Sequence, residues 1–109
     1  MATFGSATIA SGDTTSQAIL LGGANLIAIS IPAAFTNTSV KVQASFSPTD
    51  TFEDLYYDGV LVSLPATVST KQKFVPGALV GLYAVKLVAT GVGNEAAERT
   101  ILLSVEGLV

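Results

Sequence analysis

Val40-Lys41-Val42-Gln43-Ala44-Ser45-Phe46-Ser47 alternates apolar and polar side chains without a break. A period of two is the repeat of a pleated strand, whose side chains point in turn to opposite faces. The stretch predicts a half-buried strand with Val40, Val42, Ala44 and Phe46 on its dry face. The pattern returns toward the C-terminus. Tyr83, Val85, Leu87 and Ala89 form a row opposite Lys86, and Ile101, Leu103 and Val105 alternate with Thr100, Leu102, Ser104 and Glu106. Residues 26–31 are more continuously apolar, as a strand in the middle of a sheet would be. No segment carries a sustained helical period with capping residues.

Between these runs stand glycine, proline, asparagine, aspartate and serine. Gly22-Gly23 predicts a hairpin joining residues 15–21 to 24–31. Asp58-Gly59 is the stronger turn signal, because it suits the type I′ turn that joins two antiparallel strands, here 53–57 and 60–63. Gly91-Val92-Gly93-Asn94 opens a longer connection between 82–90 and 99–105. Pro32, Pro48, Pro65 and Pro76 fall at strand ends or in loops, where a missing N–H does no harm. With residues 6–10 and 72–75 added, about eight or nine short strands follow at even spacing. That spacing predicts an all-β, antiparallel β-sandwich, jelly-roll-like, in one domain over residues 1–109. Short apolar arms are expected at 1–5 and 106–109, carrying Phe4 at one end and Leu108 and Val109 at the other.

Composition limits the chemistry. Of 109 residues, 50% are hydrophobic and only 12% charged, about half the usual charged share. A surface so poor in charge suits contact with other proteins. Net charge is −3, and Lys41, Lys71, Lys73, Lys86 and Arg99 are scattered, so the basic stripe that nucleic acid requires is missing. The most apolar stretch, 76–93, holds four glycines and Lys86 and is too interrupted to span a bilayer. The start of the chain has neither the positive nor the apolar region of a secretory signal.

There is no histidine and no cysteine. That removes the common general base at neutral pH, the thiolate nucleophile and the usual zinc ligands. Asp50, Glu53, Asp54 and Asp58 cluster, but their spacing is not that of an EF-hand loop. Glu53 and Asp54 are neighbours and so face opposite sides of a strand. Glu95 and Glu98 read as polar residues of a connecting loop. Gly91-Val92-Gly93 lacks the following helix that a phosphate loop needs. The expectation is a binding protein with no catalytic residue, no metal and no cofactor. Tyr56 and Tyr57 face opposite sides of a strand, which leaves one of them on the surface.

Several motifs occur together in order: Thr8-Ile9-Ala10-Ser11-Gly12, Ile29-Ser30-Ile31-Pro32-Ala33-Ala34-Phe35, Val42-Gln43-Ala44-Ser45-Phe46-Ser47, Phe52-Glu53-Asp54-Leu55-Tyr56-Tyr57-Asp58-Gly59 and Arg99-Thr100-Ile101-Leu102-Leu103. In this order the chain resembles small β-sandwich structural proteins of tailed bacteriophages and prophages, over nearly its whole length. The resemblance implies a capsid decoration, or cement, protein on the outer surface of the virion, made in the cytoplasm of the host bacterium. It implies the major capsid protein as partner, self-association as a homotrimer, and no contact with nucleic acid or membrane. Phe4, Tyr56, Tyr57, Leu108 and Val109 are the expected interface residues. The segment Ser47-Pro48-Thr49-Asp50-Thr51 departs from the glycine-rich loop of such proteins. A carbohydrate-binding attachment module and a tail or neck subunit are the alternatives.

Overall fold

The computed structural model describes residues 2–22, 24–32, 34–49, 51–57, 59–66, 72–74 and 82–106. Within them lie eleven strands and no helix: β1 (Ala2–Ile9), β2 (Ile19–Leu20), β3 (Asn25–Ser30), β4 (Ser39–Ser45), β5 (Glu53–Asp54), β6 (Tyr56–Tyr57), β7 (Val60–Leu61), β8 (Ser63–Pro65), β9 (Gln72–Phe74), β10 (Ala84–Thr90) and β11 (Arg99–Glu106). Every pairing is antiparallel. One sheet runs β1-β11-β3-β9. The other runs β2-β10-β4-β5, with β8 also on β4, and β6 and β7 pair apart from both.

The alternating runs supply the core. Val40, Val42, Val85, Leu87 and Ala89 of one sheet meet Ala7, Ile9, Leu26, Ile29, Ile101 and Leu103 of the other in a single buried cluster. β3 contains a bulge that the apolar run does not announce. Val105 stands opposite Leu26 while Ser104 stands opposite Ala28, so one extra residue is inserted in β3. The insertion lets Leu26 and Ile29, three apart, both turn inward.

Two expected hairpins are instead crossings between sheets. The connection after Gly22 leads from β2 in one sheet to β3 in the other, and the 91–98 loop leads from β10 to β11 in the same way. Turn residues specify a reversal of the chain but not whether it stays in the plane of the sheet. The bonds decide: the N–H groups of Leu21 and Gly22 both donate to the Tyr83 carbonyl, which holds the turn against β10. The expected strand over 15–21 is also broken. Ser16 N–H donates to the Leu87 carbonyl while the Ser16 hydroxyl accepts from Leu87 N–H, and Ile19–Leu20 pairs further along β10, while Gln17 between them turns away. Residues 2–5, expected as an arm, run as the first half of β1 along β11.

Leu87 is fully buried between the sheets. Leu87→Ala is expected to lower the free energy of unfolding by about 2–5 kcal/mol in a denaturant titration. Gly91 has φ +117°, and a Cβ there would collide with the Thr38 hydroxyl. Gly91→Ala should therefore destabilise more than Gly12→Ala, whose site also has positive φ but is open.

Candidate interaction surface

A projecting hairpin stands out on the β4 edge. Along that edge, β5 pairs with Gln43 and Ala44, and β8 pairs with residues 39–41. At Val42 between them the chain leaves the sheet. Val42 N–H donates to the Val62 carbonyl (3.1 Å), Leu55 N–H to the Val42 carbonyl (3.0 Å), and Val62 N–H to the Leu55 carbonyl (2.8 Å). These three bonds close the base of the hairpin. Beyond it, Tyr56 pairs with Leu61 and Tyr57 with Val60 in register, and Gly59 has φ +78°. That is the register expected for a type I′ hairpin.

The hairpin and its surroundings are apolar and exposed. Tyr56 is 60% exposed, Val60 68% and Phe46 69%. Phe46 was expected in the core, as the last member of the dry row. The strand ends at Ser45, whose hydroxyl donates to the Ser47 carbonyl (2.7 Å) and turns the chain, and this throws Phe46 outward. Phe46 lines a cleft of about 280 Å³ together with Ala44, Thr51, Glu53, Asp54 and Leu55.

The described carboxylates beside the cleft are Glu53 and Asp54. Asp54 accepts from Gln43 Nε2 (3.1 Å) and pairs with Lys41 Nζ (3.1 Å), and these partners hold its carboxyl below the usual aspartate range against a smaller opposing effect of burial. Glu53 is exposed on the other side of the strand. Asp50 and Asp58 lie outside the described residues, and among the described residues no three acidic groups gather.

The buried carboxylate is Glu95, expected as a solvated loop residue. It is 1% exposed. Its oxygens accept from Thr36 N–H (2.8 Å), Asn37 N–H (3.0 Å), Asn37 Nδ2 (2.6 Å) and Arg99 Nε (3.0 Å). Asn37 Oδ1 accepts in turn from Val92 and Gly93 N–H, and the Arg99 guanidinium also donates to Thr36 Oγ1. The Glu95 backbone bonds Gly12 and Asp13. Burial pushes the Glu95 pKa up, but the four hydrogen bonds together outweigh it and hold the group below its ordinary value. Every oxygen is engaged and enclosed, so this carboxylate serves as a clamp and presents nothing to a substrate. No spacing rule in the sequence links Asn37, Glu95 and Arg99, which come together only when three loops meet.

Of the expected interface residues, Tyr56 is on the surface of the hairpin. Tyr57 lies beside it in β6, and Phe4 lies in β1 opposite Ser104. Leu108 and Val109 lie outside the described residues. Phe4 and Tyr56 belong to strands of different sheets. Exposed Phe46 and Val60 join Tyr56 where sequence alone gave no reason to expect them.

The fold is similar to that of an SPBc2 prophage-derived protein, YomS, known from a crystal structure. The TM-score is 0.58 at 16% sequence identity, over 96% of this chain and 94% of that one. At this identity the likeness is one of fold. No protein-family profile matches the chain, and no curated protein sequence matches it.

Glu95→Ala should cost about 3–5 kcal/mol, because it leaves Arg99 and the Asn37 amide buried without their acceptor. The pH dependence follows from the depressed pKa. The stabilisation from Glu95 is fully present above the unfolded glutamate value of about 4.3 and is lost as pH falls through the lower folded value. Thermal unfolding at successive pH values should show wild-type stability falling below about pH 4 more steeply than that of Glu95→Gln.

Proposed function

We propose that this chain is a structural protein of a bacteriophage particle, seated on the outer capsid shell as a decoration, or cement, protein. The observation that carries the reading is the fold shared end to end with a prophage-derived protein. The strand order supports the finer, jelly-roll description. The first and last long strands are neighbours, and β1-β11-β3-β9 lies against β2-β10-β4-β5, with β1 to β4 and β8 to β11 alternating between the two sheets. A binding role is supported by the exposed Phe46, Tyr56 and Val60, and the buried carboxylate of Glu95 is fully bonded.

In this reading the major capsid protein is the shell partner, and the β6–β7 hairpin with Phe46 is the contact. Exposed aromatic and aliphatic side chains on a rigid hairpin lose little entropy on docking. A stable interface buries roughly 1,200–2,000 Å² in total, more than one hairpin offers, so many copies on one lattice would hold by avidity. Copies of the chain also contact one another, as the homotrimer of the resembled proteins implies. A glycan-binding role has one observation in its favour, the exposed Tyr56 ring close to the cleft. A screen of surface glycans that finds binding abolished by Tyr56→Ala would select it.

Particles made without this protein should lose infectivity faster on heating and osmotic shock than complete ones. Unchanged resistance would end the cement reading. Adding back a Tyr56→Ala/Val60→Ser variant should fail to restore resistance, although the isolated variant should unfold within about 0.5 kcal/mol of wild type per site, both positions being exposed.

A further inference from the structure

Where β5 closes the β4 edge, Gln43 stands opposite Asp54 and Ala44 stands opposite Glu53. Successive residues of a strand face opposite sides. Asp54 therefore lies on the outer face of the sheet with Gln43, Lys41 and Lys86, the last standing opposite Gln43. The cations of that face are engaged there. Lys41 Nζ pairs with Asp54 (3.1 Å), and Lys86 Nζ sits 4.6 Å from the centre of the Phe52 ring. Glu53 lies on the other side, beside buried Ala44, and is itself exposed. Leu55, two residues on, packs against the core.

These residues shape the 280 Å³ cleft. Ala44 and Leu55 give it apolar walls, the Phe46 ring stands 69% exposed beside them, and Glu53 brings a carboxylate. The lining is held in place before any partner arrives. The Ser45 hydroxyl bond to the Ser47 carbonyl directs Phe46 outward, and Glu53 is fixed between Phe52 under Lys86 and Asp54 on Lys41 and Gln43. Sites for drug-sized molecules measure roughly 300–1,000 Å³. This cleft is smaller and suits one inserted side chain. Charge decides which kind. Residues 42–70 contain Asp50, Glu53, Asp54 and Asp58 and no lysine or arginine, whereas the rest of the chain carries five basic and four acidic residues. The whole negative charge of the protein thus comes from the segment that builds the cleft, and its field attracts a cation.

We infer that this cleft receives an arginine side chain of a protein partner, with the guanidinium over the Phe46 ring and paired to the Glu53 carboxylate, and the methylene stem against Ala44 and Leu55. A guanidinium is planar, stacks on an aromatic face and matches a carboxylate with two parallel N–H groups. A lysine ammonium is a strongly hydrated point charge without that fork. The stem of a long basic side chain covers apolar surface while its head stays polar. The inference names the chemistry of the contact assigned above to Phe46 and rests on that reading only for the partner's place in a particle.

The test is a titration of the full chain, followed by backbone amide NMR shifts, with the capped tripeptide acetyl-Gly-Arg-Gly-amide. Its citrulline counterpart keeps the shape and lacks the charge, and its lysine counterpart keeps the charge and lacks the fork. One side chain is a weak ligand, because association costs translational and rotational freedom, so the probes are taken to millimolar concentration. The arginine peptide should shift the amides of Ala44, Phe46, Glu53 and Leu55 saturably and bind about tenfold more tightly than the citrulline peptide. Glu53→Gln and Phe46→Leu should each weaken it about threefold. Both positions are exposed, and unchanged Val85 and Leu87 amides report that the variants fold. No saturable shift at the cleft, a citrulline or lysine peptide that binds as tightly as the arginine peptide, or folded variants that both bind like wild type would overturn the inference. A protein that protects particles but fails this titration removes the arginine site alone. One that passes it while particles do not need it removes the cement role alone.

Discussion

Glu95 is the point on which the sandwich is held together at one end. Three connections that cross between the sheets converge there: residues 10–14 from β1 toward β2, 34–38 from β3 to β4, and 91–98 from β10 to β11. Each is irregular and leaves backbone N–H groups that a sheet would have paired, and a buried N–H without a partner costs free energy. One carboxylate and one carboxamide absorb them, Glu95 from Thr36 and Asn37, and Asn37 from Val92 and Gly93. Burying a carboxylate costs several kcal/mol, and this is offset only where geometry and partners are complete. The Arg99 guanidinium completes them and, as the first residue of β11, fixes where that strand begins.

The parts of this architecture that were legible in the sequence are those governed by a short-range rule. Period-two alternation located β4, β10 and β11 with their buried faces, because a strand exposes its pattern residue by residue. Asp58-Gly59 located a hairpin to the residue, because the loop requires positive φ. What stayed hidden depends on contacts far apart in the chain. The bulge in β3 is set by its register with β11, the sheet crossing after Gly22 by bonds to Tyr83, and the exposure of Phe46 by a serine turn. The clamp joins residues some sixty positions apart, and a glutamate in a loop of Gly, Asn and Ala carries no local sign of burial. The candidate surface was half visible. One of Tyr56 and Tyr57 was expected outside, but Phe46 belonged to a row whose alternation would have turned it inward.

Edge treatment gives the surface its character. Nearly all described edges are short or charged, and the outer bonds of β1 are partly taken by Gln17. Around the β6–β7 hairpin the exposed side chains of Phe46, Tyr56 and Val60 are apolar. Apolar contacts formed there depend little on ionic strength, in contrast to associations driven by charge.

The closed base of the β6–β7 hairpin has a separate consequence. Because Val42, Leu55 and Val62 bond one another, the sheet registers on either side are fixed independently of what lies beyond them. A longer tip adds little cost, since doubling the length of a closed loop adds only about 0.6 kcal/mol. The hairpin is thus a natural insertion port, a place where foreign peptide sequence is displayed outward while the β-sandwich beneath it keeps its own pairing.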